Sequence, residues 1–306
     1  MNRRNALFSV AGAGLAGAYA TRAAANDARP VASSRRAPRR QVVARDGTRL
    51  FHRDWGDGKP VVFLIGWTLS SESWAYQAAE LSDQGLRCIA YDRRGHGRSD
   101  DPGRGYDLDT LADDLAAVIE TLDLRDVTLV AHSFGALEAT RYISRHGAGR
   151  VARIVYLAPA GPCLALKADN PLGAPRAYFE HNWKLWRADF AKWVDDNADP
   201  YFTPGTSAGI KAWTKAQMTQ CSMRATLDLG RIMAEADIRA ELARIRVPTL
   251  VIHGDKDASA PIALTGERMA ALVPGAQMKV YEGAPHGLYV THMDRLNADL
   301  LAFARA

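Results

Sequence analysis

Cysteine is scarce in this chain: Cys88, Cys163 and Cys221 are the only three. An odd, widely spaced set provides no disulfide framework and no pair at metal-ligand spacing. The three read as buried, inert thiols, although export to an oxidising compartment would leave room for one bridge. Long apolar runs are missing too. No stretch reaches the roughly 18 apolar residues that a spanning helix needs, so no stable membrane span is expected. Acidic residues are almost absent from the first 40 positions, where Asp27 alone stands against eight arginines. The formal charge of +5 therefore comes from the N-terminus, and residues 41–306 hold 31 Lys and Arg against 33 Asp and Glu. A chain balanced in this way offers no basic face for nucleic acid.

The N-terminal basicity has its own pattern. Arg3 and Arg4 precede a weakly apolar, Gly-rich run from Ala6 to Ala20, and Ala23-Ala24-Ala25 follows as a small-residue cleavage site before Asn26. This reads as an export signal over 1–25, with an arginine pair of the twin-arginine type, and implies a periplasmic or secreted protein. Residues 26–40 mix Pro, Ser and Arg with almost nothing apolar and read as a basic, solvated linker. The remaining 41–306 suit one large α/β domain.

From residue 41 the pattern alternates. Gln41–Ala44 and Arg49–Trp55 flank Asp46-Gly47 and predict a hairpin. Val61–Ile65, Arg87–Tyr91, Val127–Ala131 and Val151–Ala158 are apolar runs of the kind buried on both faces of a sheet. Between them Trp74–Ser82, Asp109–Leu122 and Phe134–His146 carry helical periodicity. The alternation stops at Cys163 and resumes after Ala236. That interval is rich in aromatics, Trp183, Trp186, Phe190 and Trp193 among them, and reads as an inserted helical cap. Strand Thr249–His253, helix Ile262–Leu272, strand Gln277–Tyr281 and a helix over His292–Ala304 complete the chain. Alternating strands and helices predict a mostly parallel, eight-stranded sheet covered on both faces, with ligands at the carboxyl ends of the strands.

Three residues at such ends form a chemical set. Ser133 lies where strand Val127–Ala131 turns through His132-Ser133-Phe134-Gly135 into a helix. A Ser on a strand-to-helix turn holds its hydroxyl clear of the backbone, and the helix N-terminus favours a developing oxyanion. A serine merely capping the helix is the plain alternative. The hydroxyl needs a base, and His286 in Gly283-Ala284-Pro285-His286-Gly287 follows the last strand. The base needs an anion to set its tautomer, and Asp257 is preferred over its neighbour Asp255 because it lies further into the loop. The order Ser, Asp, His suits the fold. The loop after Val61–Ile65 carries Gly66-Trp67-Thr68, which makes the backbone N–H groups of Trp67 and Phe134 the candidate oxyanion donors. His253 reads as structural, as do His96 and His132. Asp92-Arg93-Arg94-Gly95-His96-Gly97-Arg98-Ser99 reads as a structural turn near the site mouth, since no Gly-rich run leads into Lys-Ser or Lys-Thr.

This last motif, the serine turn, His253-Gly254-Asp255-Lys256-Asp257 and Gly283–Leu288 together resemble the cofactor-free bacterial haloperoxidases, also called non-heme chloroperoxidases, perhydrolases or aryl esterases. The similarity spans residues 41–304. The resemblance implies the α/β-hydrolase fold and a Ser133–His286–Asp257 triad. It also implies ester hydrolysis through an acyl-enzyme, with peroxide replacing water in a side activity that needs no metal or other cofactor. The chain departs from the family pattern at Ile65, where His is common, at Thr68, where Pro is common, and at Ala131, where Gly is usual.

The expectation is therefore a serine esterase acting on a small-molecule ester, with an oligomer compatible with the sequence. Haloperoxidase or perhydrolase activity as the main role, and lactone or carbon–carbon bond hydrolysis, are alternatives on the same scaffold. A non-catalytic binding module is the alternative from another class. Dehalogenase and epoxide hydrolase chemistry is disfavoured, because it uses Asp where Ser133 stands.

Overall fold

The computed structural model describes residues 41–306. The export signal read at 1–25 and the linker read at 26–40 lie outside the described residues. Eight strands form one sheet: β1 Gln41–Val43, β2 Arg49–Trp55, β3 Lys59–Leu64, β4 Leu86–Tyr91, β5 Val127–His132, β6 Val151–Leu157, β7 Thr249–Gly254 and β8 Gln277–Tyr281. Their order is β1-β2-β4-β3-β5-β6-β7-β8. The β1–β2 and β2–β4 pairs are antiparallel and all later pairs are parallel.

Ten helices accompany the sheet among the described residues: α1 Ala75–Asp83, α2 Leu108–Thr121, α3 Gly135–His146, α4 Arg176–Asn197, α5 Ala208–Thr219, α6 Met223–Glu235, α7 Arg239–Leu242, α8 Gly266–Leu272, α9 Leu288–Thr291 and α10 Met293–Arg305. Successive residues of a strand face opposite sides, and β5 divides accordingly. Val127, Leu129 and Ala131 pack with Leu111, Leu115 and Ile119 of α2 and Leu137 of α3. Val130 packs on the other face with Leu81 of α1 and Leu296 and Leu300 of α10. A fully buried Leu such as Leu115 contributes about 1.5–3 kcal/mol. Asp107 starts α2 by accepting from the Thr110 N–H at 2.9 Å.

Between β6 and β7 the chain builds α4, α5, α6 and the short α7. Helix α4 is two pieces: Asp189 leaves helical geometry (φ −161°, ψ 90°), and its carboxylate caps the second piece through the Lys192 N–H at 2.9 Å. Two boundaries differ from the sequence reading. The helix expected from Ile262 begins at Gly266, because residues before it turn to seat Thr265 against Ala260 and Pro261 carbonyls. The last helix is preceded by the single turn α9. Cys88, Cys163 and Cys221 are all free and buried, and burial pushes the thiols of Cys88 and Cys221 up to about 12.

The charged turn after β4 is structural. Asp92 accepts the Ser71 N–H at 2.6 Å and the Arg98 N–H at 2.8 Å. A Cβ at Gly97 would sit 2.3 Å from the Asp92 carboxylate, so only glycine fits there. Arg94 bridges Asp46 at 2.9 Å and Asp114 at 2.7 Å.

His96 is buried in this turn, with Nδ1 donating to the Arg94 carbonyl at 2.9 Å. Burial first, and the charge of Arg93 second, push its pKa down from 6.5 to about 3. The folded state thus keeps His96 neutral while the unfolded chain takes up a proton below pH 6.5, so stability falls on acidification across that window. At pH 5 the cost is about 2 kcal/mol. His96→Asn keeps a donor near the Arg94 carbonyl but cannot titrate. Urea unfolding should show the stability gap between wild type and variant narrowing by about 2 kcal/mol from pH 7 to pH 5; an unchanged gap would contradict this.

Candidate active site

The strand ends β3, β5, β7 and β8 bring the sequence-predicted residues together. Ser133 follows β5 at φ 52°, a left-handed conformation that a non-glycine residue adopts only when its surroundings hold it. The hold is visible. Its N–H donates to the Leu157 carbonyl at 3.0 Å, and its own carbonyl accepts the N–H groups of Ala136 and Ala160, each at 3.0 Å. Gly135 lets α3 start against β3, since a Cβ there would meet Leu64 Cβ at 2.9 Å. Ala131, where glycine was usual in the resemblance, is fully buried in the sheet.

His286 lies in the loop after β8, with Nε2 3.0 Å from Ser133 Oγ. Its Nδ1 is 2.7 Å from Asp257 Oδ2, in the loop after β7. A carboxylate accepts only, so the ring proton belongs on Nδ1, leaving Nε2 to accept from the serine hydroxyl. Asp255, the rival, is turned elsewhere: its Oδ1 takes the Gly283 N–H at 2.7 Å and so ties the β7 loop to the His286 loop. His132 sits beneath, its Nε2 3.3 Å from the His286 carbonyl. All three principal side chains are buried.

Asp257 is more heavily partnered than the sequence suggested. Its Oδ1 accepts the N–H groups of Ser259 at 2.9 Å and Ala260 at 2.7 Å. Its Oδ2 also meets His253 Nε2 at 3.0 Å, which in turn lies 2.9 Å from the Ala260 carbonyl. Two acceptors on one nitrogen place the His253 proton on Nε2. Burial pulls the Asp257 pKa up, but the rings of His286 and His253 outweigh it and hold the carboxyl well below its usual range. The sequence points to a structural place for His253 and does not reveal its contact with Asp257. The i, i+4 spacing within His253–Asp257 is the one local signal that could have pointed to it.

Gly66-Trp67-Thr68 follows β3 and faces this group, with Thr68 at φ 61°. Among the described residues neither the Trp67 nor the Phe134 backbone N–H has an acceptor. Behind them lies a pair the sequence reading did not single out: Arg93, fully buried, is 2.8 Å from the buried Glu138 of α3. The Trp67 indole donates to the Thr226 carbonyl of α6 at 3.0 Å and lies 4.4 Å, centroid to centroid, from Trp186 of α4. Phe190 and Trp193 pack edge-on to it. These rings, with Tyr201 and Phe179, wall a cavity of about 410 Å³ that opens on Ser133 and His286. The arrangement presents a hydroxyl and a proton acceptor to a largely apolar pocket, as acyl transfer requires, with the Trp67 loop in its wall.

Similarity to known proteins bears on the family to which this fold belongs. The Alpha/beta hydrolase family matches residues 61–299. A non-heme haloperoxidase of Rhodococcus erythropolis is 41% identical over 269 residues, covering 86% of this chain and 98% of that protein. A bifunctional esterase/perhydrolase of Acinetobacter calcoaceticus is 33% identical over 275 residues, covering 87% of this chain and 99% of that protein. The crystal structure of a bromoperoxidase from Bacillus anthracis superposes with a TM-score of 0.82 at 34% identity, covering 87% of this chain and all of that one. A match running from β3 into α10, with relatives this similar along nearly their whole length, places the chain in the α/β-hydrolase family.

Proposed function

We propose that the protein is a serine hydrolase of small carboxylic esters, with hydrogen peroxide as a second acyl acceptor. Ser133 Oγ attacks the ester carbonyl carbon while His286 Nε2 takes its proton, and Asp257 holds the imidazolium that results. The N–H groups of Trp67 and Phe134 receive the oxyanion. His286 then protonates the departing alcohol, leaving Ser133 acylated. Water, deprotonated by the same nitrogen, attacks the acyl carbon and releases acid; hydrogen peroxide in its place releases a peracid, which can oxidise halide. The observation that carries this reading is the unbroken chain from Ser133 Oγ through His286 to Asp257, at 3.0 and 2.7 Å.

The esterase/perhydrolase of Acinetobacter calcoaceticus supports the two-acceptor form. Ile65 and Thr68 in the oxyanion loop, where the resemblance expects His and Pro, favour water as the better acceptor. Export to the periplasm or beyond belongs to the same proposal, supported by Arg3-Arg4 and the apolar run after them. A screen of p-nitrophenyl esters of increasing acyl length and of lactones, each with and without hydrogen peroxide, tests the reading. Turnover should be highest for short acyl groups, with slower peracid formation. No turnover on any substrate, together with no labelling by a fluorophosphonate, would sink it.

A further inference from the structure

The Arg93–Glu138 pair has no role in the chemistry above, yet it is fully buried directly behind the site. Glu138 lies on α3, one turn after Phe134. Its Oε2 accepts from Arg93 Nε at 2.9 Å and from Nη2 at 2.8 Å, and its Oε1 accepts from the Tyr91 hydroxyl. The rest of the guanidinium faces the loop after β3. Nη2 donates to the Ile65 carbonyl at 2.9 Å, and Nη1 makes a long contact with the Gly66 carbonyl at 3.4 Å. Its flat face lies 4.7 Å from the centre of the Phe134 ring.

Stability does not account for such a pair. Taking two charges out of water costs about as much as their attraction returns, and apolar replacements of similar volume are often as stable. The contacts themselves suggest another use. The Gly66 carbonyl and the Trp67 N–H belong to one trans peptide, so they point to opposite sides of it. A donor fixed on the carbonyl sets the direction of the N–H and polarises it. The next residue, Thr68, is β-branched and held at φ 61°, so this loop would relax elsewhere without an anchor.

We propose that Arg93, clamped by Glu138, is the positioning residue of the oxyanion site: it holds the Ile65 and Gly66 carbonyls on one side and the Phe134 ring on the other, so that the two backbone donors stay aimed at the pocket. The inference rests on the serine-hydrolase reading. Arg93 touches no substrate and acts only through the loop and α3.

Two variants test it in the full chain. Arg93→Met/Glu138→Gln removes both charges while leaving an acceptor for Tyr91. Arg93→Lys keeps the charge but cannot span two carbonyls and a carboxylate with one planar fork. For the double variant kcat on p-nitrophenyl acetate should fall about 10- to 100-fold with KM within about threefold, a fraction of the loss for deleting a donor outright. Affinity for a trifluoromethyl ketone, whose hemiketal oxygen carries the developing charge, should fall in proportion. The pH profile should keep its shape, because Ser133, His286 and Asp257 are untouched. If the double variant does not fold, Arg93→Lys decides, with a loss of about tenfold expected in both kcat and ketone affinity. A folded variant with wild-type kcat, or with reduced kcat but unchanged ketone affinity, overturns the inference while wild-type esterase activity leaves the functional reading standing. A wild type inert to every ester and to the ketone overturns both.

Discussion

Ser133→Ala should lower kcat for p-nitrophenyl acetate by about 10⁵- to 10⁶-fold and abolish fluorophosphonate labelling. Without the hydroxyl no acyl-enzyme can form, and only binding and oxyanion stabilisation of a water attack remain. The substitution leaves the fold in place. The hydrogen bonds that hold Ser133 in its backbone conformation, to Leu157, Ala136 and Ala160, run through its main chain, and alanine keeps all of them. Alanine meets the same strain as serine at φ 52°. Thermal unfolding should therefore be nearly unchanged, which separates loss of chemistry from loss of structure. A well-folded variant with appreciable activity would remove Ser133 from the mechanism.

Asp257→Asn should lower kcat by about 10⁴-fold at neutral pH. Asp257 accepts on both oxygens: Ser259 and Ala260 N–H groups on Oδ1, His286 and His253 on Oδ2. An amide has one acceptor and one donor end. With its oxygen toward the backbone pair, its NH₂ faces two histidine nitrogens. His286 must then move its proton to Nε2, where it confronts Ser133 and cannot accept from it. The shifted pKa of Asp257 adds a pH consequence. Held well below the usual carboxylate range, the group stays charged in the folded protein at acidities that protonate it in the unfolded chain. Its contribution to stability is complete above its unfolded pKa of about 3.9, shrinks as pH falls below that value, and is gone once pH has passed the lower folded value. Asp257→Asn should therefore cost stability at pH 7 and progressively less toward pH 2. A penalty that does not shrink on acidification would show that packing, not charge, sets it.

The sheet and the serine were legible because their signals are local. Val127–Ala131 is an unbroken apolar run, and the turn after it passes directly into a helical pattern. Asp257 and His286 could be placed because each follows a strand end, where the fold collects its chemistry. The choice of Asp257 over Asp255 depended on loop reach, and the structure puts Asp255 on the Gly283 N–H instead. The Arg93–Glu138 pair and the double histidine contact on Asp257 were not legible in the same way. Arg93 and Glu138 are 45 positions apart, and each stands in a segment whose pattern is explained without the other. Glu138 is the one acid on an otherwise apolar stretch of α3, Ala136 to Ala139, and that inconsistency was the available signal. The break of α4 at Asp189 was hidden because the aromatics on either side keep a continuous helical pattern.

Trp67 faces two ways. Its backbone belongs to the loop that shares the cavity with Ser133, while its indole is bonded to Thr226 and packed tilted and edge-on among the cap rings that wall the cavity. Under the proposed mechanism, rate and substrate choice therefore share one residue and are not independent traits. A cap substitution that widens the pocket by shifting the indole also turns the peptide that receives the negative charge. Variant libraries aimed at Trp186 or Phe190 for new acyl groups should show gains in scope accompanied by losses in turnover, recovered only by second changes in the loop from Gly66 to Thr68.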